Sequence, residues 1–385
     1  MLHIKPKADL IYSASKTRKT SNVGLIALYI YEKYHKRTRL ITLDGGGYDP
    51  IISLVNEGIV VPWFPIARPK FTISTIDLAC QGWWPKEPDD PLSPLIPPSA
   101  AVWEDIGFTA VEGLTSGGDS FLRQLKADKA HLSQDPSYTY AEQAVDVEVD
   151  GKRSSKTISY SGGNQSYYGN VQDQLYDFVI KSHMLPCEKV LWTALEGRGE
   201  EEGSRAPTYG PAIAGKKSIG KAPQWFGNCV HIEQLVERKP NAETKQVDIV
   251  ERPVMYLRTH ADPLTNIPFP CGTRAPFQFA SELPNYLDPP DMADLYRRLD
   301  VMTERMDAII REKKQRVQVA GFRETDKLAE IGAQHVTSPP PAPEPVKISE
   351  VMSVPGTVSL TQAPATPQPG KVAFTPPKIS IKRPQ

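Results

Sequence analysis

The sequence is short of cysteine, of net charge and of long apolar runs, and its one motif-like turn is short of glycine. Cys80, Cys187, Cys229 and Cys271 stand far apart with no C-x-x-C pair. That spacing argues against a zinc site and against a disulfide framework, and it fits a reducing compartment. The 45 Lys and Arg balance 45 Asp and Glu. There is therefore no global basic field of the kind that drives non-specific DNA binding, although a local basic groove is compatible with the balance. No stretch is apolar enough to span a membrane, and the opening "MLHIKPKADLIYSAS" lacks the apolar core of a secretory signal. The expectation is a soluble cytoplasmic protein of 385 residues, long enough for one large domain or two smaller ones.

What is present is an ordered series of short motifs. In "LIYSASKTRKTSNVG" the apolar run Leu10–Tyr12 reads as the end of a buried strand. A Ser- and Lys-rich turn follows, and then Val23, Ala27, Ile30 and Tyr34 recur at helical spacing. Strand, polar turn and helix are the setting that G-x-x-x-x-G-K-[ST] requires. The eight positions here read Ser13, Ala14, Ser15, Lys16, Thr17, Arg18, Lys19 and Thr20, with Ser21 next. The Lys and the Thr are in place, so Lys19 would reach the β and γ phosphates and Thr20 would hold Mg²⁺. Both glycines are replaced, by Ser13 and Arg18. Serine is a mild change, whereas Arg18 is asked to adopt a positive φ that bulky residues avoid. A Lys-rich turn with no ligand is the plain alternative.

Further along, Leu40–Leu43 reads as a second strand that delivers Asp44 and three glycines to a sheet edge. Asp44 there either orients a water or simply ends the strand in an Asp-Gly turn. Phe108–Val111 reads as a buried strand ending in Glu112, the shape of a strand that presents a Mg²⁺-linked acid. Helical spacing then turns Val171, Leu175, Phe178 and Val179 inward, and a strand over 189–194 carries Thr193. "YGPAIAGKKSIGK" combines glycines with Lys216, Lys217 and Lys221, either as a cationic clamp or as plain solvated surface.

Two segments interrupt the α/β alternation. "WWPKEPDDPLSPLIPPSAA" reads as a surface excursion, and the polar stretch at about 133–168 as a loop or small hairpin. Over 289–318 a helix carries Leu295, Leu299, Met302, Met306 and Ile309 at alternating spacings of four and three. That pattern suits a short coiled coil, with docking on the domain as the alternative. The Pro-rich segment 338–385 has the composition of a disordered tail whose basic end, Lys378, Lys382 and Arg383, suits a protein partner.

Taken in order, "YSASKTRKT", "LITLDGGG", "FTAVEGLTS", "YYGNVQDQL", "VLWTALEGR" and "YGPAIAGK…PQWFGN" resemble the AAA/RecA-like P-loop ATPases of tailed bacteriophages, which include proteins grouped with the Sak-type single-strand annealing ATPases. The resemblance spans about residues 8 to 275. It implies an α/β RecA-like domain over 1–280 with a mostly parallel sheet, Mg-ATP at the first strand–helix turn, and homo-oligomers. By position it implies that Ser13 to Ser21 bind the nucleotide and that Thr20 and Glu112 hold Mg²⁺. Glu112, Asp44 and Thr193 are then the catalytic set, and Lys216 and Lys217 act on a neighbouring subunit or on DNA. The implied role is an ATPase of DNA recombination, single-strand annealing or replication. There, Tyr138, Tyr140, Tyr160, Tyr167 and Tyr168 would stack on single-stranded DNA. Arg18 departs from the family pattern and sets a second reading beside the first, a RecA-like scaffold without catalysis. A packaging motor fits less well, because the chain after about 280 has no acidic α/β pattern for a nuclease.

Overall fold

The computed structural model describes residues 8–43, 48–65, 73–120, 139–161, 167–201, 206–213, 216–240 and 247–334. The chain divides into a compact unit, Met1–Gln318, and a second unit, Val319–Gln385, whose described residues, 319–334, are helical.

The first unit is built on an 11-stranded mixed sheet. Its parallel part comprises β1 (Ala8–Ser13), β2 (Arg37–Thr42), β3 (Val60–Trp63), β4 (Ile106–Glu112), β5 (Lys189–Glu200) and β6 (Cys229–Pro240). They lie in the order β6-β1-β5-β4-β2-β3, all pairing parallel. Beyond β6 the sheet turns antiparallel. Strand β7 (Val247–Tyr256) pairs with β6 along its length, and β8 (Arg258–Ala261) pairs with β9 (Pro268–Gly272), which meets the start of β6.

The central strand explains the layering. Every residue of β1 is buried, as expected of a parallel strand covered on both faces. Side chains alternate between faces. Leu10 and Tyr12 join one apolar cluster with Trp192 and Phe178, while Ile11 joins another with Ile26, Ile30 and Phe108. Helix α1 (Lys19–Tyr34) and the start of α3 (Met292–Gln334) supply the second cluster. Helix α2 (Tyr167–Ser182) supplies the first through Val171, Leu175, Phe178 and Val179, the inward set expected from their spacing. Gly107 lets α1 approach β4, since a Cβ there would lie 2.6 Å from Ile30 Cγ2.

Two expectations are revised, and one is resolved between its two alternatives. Trp84 and Leu95 of the Pro-rich excursion are buried, because Leu95–Ile96 pairs with Trp84–Pro85 and with Val147 in a four-stranded sheet. The polar stretch folds as an antiparallel hairpin, Thr139–Val149 with Lys152–Ser161. Its two-residue turn, Asp150-Gly151, has φ of 52° and 74°, the left-handed pair that matches strand twist.

The third concerns the helix after 289. It runs to Gln334 rather than 318, and its seam is used by the chain itself. Leu295, Leu299 and Met302 are buried and Met306 and Ile309 are half-buried, all in the α1-side cluster. The apolar residues of a two-heptad seam are as well satisfied by a domain face as by a second helix, and here the domain face wins. The tail at 338–385 lies outside the described residues.

Candidate nucleotide site

The turn after β1 lies at the carboxyl edge of the sheet, the edge at which open α/β sheets bind ligands. Ser13 ends β1 in strand conformation, so the first missing glycine costs nothing. Its hydroxyl organises the turn. It accepts from Lys19 Nζ at 3.1 Å and lies in short contact with Thr17 Oγ1, which donates to Ala14 O at 2.7 Å.

Arg18 occupies the second glycine position and takes the glycine conformation, φ 65° and ψ 22°. Lys16 is left-handed too, at φ 63°. Each conformer costs about 1–2 kcal/mol for a non-glycine residue. The carbonyl of Arg18 is held by both Asn22 N and Asn22 Nδ2, each at 3.1 Å. Arg18 is exposed, so its guanidinium is directed away from the core.

Arg18 is the N-cap of α1, makes no side-chain cap, and the first helical turn has no acid. The first N–H groups of a helix seek an acceptor, and the helix dipole favours an anion there. Lys16, Arg18 and Lys19 add cations to the same nine residues, Ser13–Ser21, which contain no acid. Lys19 Nζ folds over the turn to Ala14 O at 2.8 Å and Ser13 O at 3.4 Å.

A cleft of about 500 Å³ opens on this turn. Residues 15–21 form one wall, and Glu112, Thr193 and Leu195 form the other. Parallel pairing sets that wall, because Glu112 of β4 is in register with Thr193 of β5, and Leu195 of β5 is in register with Ser13. The Glu112 carboxylate is buried at the cleft. Thr193 Oγ1 accepts from Gly113 N at 3.2 Å, which fixes the hydroxyl and leaves its proton available to the cleft.

The turn, Glu112 and Thr193 thus line one cleft. Asp44 lies outside the described residues, as do the side chains of Lys216 and Lys217, whose backbone begins a short helix, Lys216–Lys221. Among the stacking candidates, Tyr140 and Tyr160 are cross-strand partners in the hairpin, and Tyr138 lies outside the described residues.

A second constellation escapes the sequence reading. His231 and Glu233 on β6, His260 on β8 and Glu196 on β5 converge beside Tyr12. The signal was present in "NCVHIE", where His231 and Glu233 are two apart and share a strand face. His260 comes from a distant strand, and only the antiparallel extension brings it there.

No family model matches the chain, and no curated protein matches it.

Proposed function

We propose that the chain is a RecA-like, Mg-ATP-binding protein whose Ser13–Ser21 turn is a working phosphate loop, with a role in DNA metabolism. The observation that carries this reading is the left-handed backbone of Arg18. The turn has the shape that glycine normally provides, although neither glycine is there.

The donor set fits the ligand. Uncapped N–H groups of α1 and the Lys19 ammonium suit phosphate oxygens, and Arg18 and Lys16 add charge at the rim. A hydroxyl from Thr20 and the carboxylate of Glu112 suit a hard divalent cation such as Mg²⁺. Bound Mg²⁺ would supply charge neutralisation for phosphoryl transfer. Glu112 is the acid that would hold or polarise water, and Thr193 the polar group next to it. The interposed strand β5, ending its pairing with β1 beside Ser13, supports the RecA-like reading because it sets Thr193 between loop and acid. The cross-strand pairing of Tyr140 with Tyr160 in the hairpin supports single-stranded DNA as a partner, since stacking needs adjacent aromatic positions.

Calorimetry of Mg-ATP with the full chain, Lys19→Ala and Arg18→Gly tests the proposal. Binding by wild type that Lys19→Ala loses supports it, and an ATPase assay with single-stranded DNA then follows. Failure of the wild type to bind, with binding restored by Arg18→Gly, overturns it in favour of a scaffold with a closed site.

A further inference from the structure

The cluster on the other side of β1 has the chemistry of a metal centre. Three potential ligand atoms lie together: His231 Nδ1, His260 Nε2 and a Glu233 carboxylate oxygen, all within 4.8 Å of one another. His231 Nδ1 and His260 Nε2 are 3.3 Å apart, and His260 Nε2 and Glu233 Oε2 are 3.0 Å apart. A tetrahedral ion with bonds of about 2.0–2.1 Å sets its ligands about 3.3 Å apart. Two of the three spacings are therefore close to the edges of a zinc-type tetrahedron, and the third, His231 to Glu233, is within 4.8 Å.

The proton balance points the same way. Glu196 Oε2 lies 2.9 Å from His231 Nε2. A carboxylate only accepts, so Nε2 carries the ring proton and Nδ1 is a bare lone pair. Between His231 Nδ1 and Glu233 the protein offers at most one proton, that of His260 Nε2. A single N–H cannot align with both acceptors at full strength, whereas a divalent cation satisfies all three atoms. His231 is fully buried.

Glu196 completes the arrangement. A metal-bound histidine commonly donates its other N–H to a carboxylate, which fixes the tautomer and raises ligand basicity. Packing holds the rings as well. Phe269 stacks on both His231 and His260, with centroids at 4.2 and 5.0 Å, and Tyr256 stacks on His260 at 3.5 Å. Ligation at Nε2 puts the His260 proton on Nδ1, a buried nitrogen without a hydrogen-bond partner among the described residues. Set against that orphan group is the His231 Nδ1 lone pair, which without a cation must share the one His260 proton with Glu233.

We propose that His231, Glu233 and His260 bind a divalent transition ion of the zinc class, oriented by Glu196, with water in the fourth position. The half-buried Glu233 leaves an approach from solvent. The ion would tie β8 to β6 next to Tyr12 of β1, with Glu196 of β5 as the outer partner of His231. The scarcity of paired cysteines excluded thiolate zinc sites, and this N₂O set is of a different kind. The inference does not depend on nucleotide binding.

The test uses the full chain, stripped with a chelator, dialysed and titrated with ZnCl₂ in excess Mg²⁺. One equivalent should bind to the wild type. Glu233→Gln and His260→Gln, both at partly exposed positions, should each weaken binding more than 10-fold while far-ultraviolet circular dichroism stays native. Glu196→Gln should keep the stoichiometry and weaken binding by about 10–100-fold. Co²⁺ in place of Zn²⁺ should give the visible absorption of a tetrahedral ion in wild type and not in His260→Gln. A wild type that takes up no more Zn²⁺ than His260→Gln, or folded variants that bind as the wild type does, would overturn the assignment.

Discussion

Asn22 joins Arg18 to Met292. Its amide Nδ2 donates to Arg18 O at 3.1 Å, and its Oδ1 accepts from Met292 N at 2.8 Å. One buried side chain thus holds the strained residue of the Ser13–Ser21 turn and caps the start of the long C-terminal helix. Asn22→Ala leaves both backbone groups without this partner. The expected loss is about 1–3 kcal/mol for the buried groups, read as a lower urea midpoint. Mg-ATP affinity should fall in the same variant. Asn22→Asp keeps the acceptor for Met292 and should retain more stability than Asn22→Ala.

Arg18→Gly isolates the backbone strain. Removing one left-handed non-glycine residue should stabilise the fold by about 1 kcal/mol, measured by equilibrium urea unfolding. If Arg18 were not left-handed in solution, glycine would instead destabilise through its chain entropy.

Glu112→Gln separates binding from turnover. The amide removes the negative charge but keeps an oxygen for Mg²⁺ with little change of shape, so calorimetric Mg-ATP binding should weaken far less than hydrolysis. Hydrolysis should fall by about 10²-fold or more, the usual size of a lost acid–base contribution. Equal hydrolysis by wild type and variant would remove Glu112 from the chemistry.

Asp9 gives stability a pH dependence of definite sign. Burial pushes its carboxyl up from 3.8 to about 6, although Asn228 and Tyr296 hydrogen-bond to it. The folded state therefore holds the proton more tightly than the unfolded chain does. The contribution is fully present below about pH 4 and is lost as pH rises through about 6. A shift of this size corresponds to a loss on the order of 3 kcal/mol. Asp9→Asn should flatten the urea midpoint between pH 4 and 7 relative to wild type, and an unchanged slope would refute the assignment.

Leu295→Ala tests how the helix seam is used. Leu295 is fully buried against the α1-side cluster. Truncation should cost about 2–5 kcal/mol, with a midpoint independent of protein concentration. A seam serving only a coiled coil would leave the monomer's midpoint in place and shift the oligomer in sedimentation.

Much of the parallel half of the fold was legible in the sequence. Runs such as Leu10–Tyr12 and Phe108–Val111 read as buried strands, and Val171, Leu175, Phe178 and Val179 marked one face of a helix, because local periodicity reflects burial directly. The wall of the cleft was legible too, since an acid that ends a strand must reach the sheet edge with it. The Pro-rich stretch was misread because Trp84 and Leu95 are buried by a partner, Val147, that is remote in sequence.

What the sequence determined by itself was the residue supply: a turn with three cations and no acid, strands long enough to deliver Glu112 and Thr193, and a helix with one apolar stripe. The tertiary structure decided three matters that local pattern leaves open. The Asn22 side chain and its backbone N–H both bond the carbonyl of Arg18, which is held left-handed where intrinsic preference opposes it. The domain face, not a second helix, covers Leu295 and Leu299, since either would bury the same area. The antiparallel extension carries His260 to His231 and Glu233, a meeting that depends on register across strands and is invisible to any window along the chain.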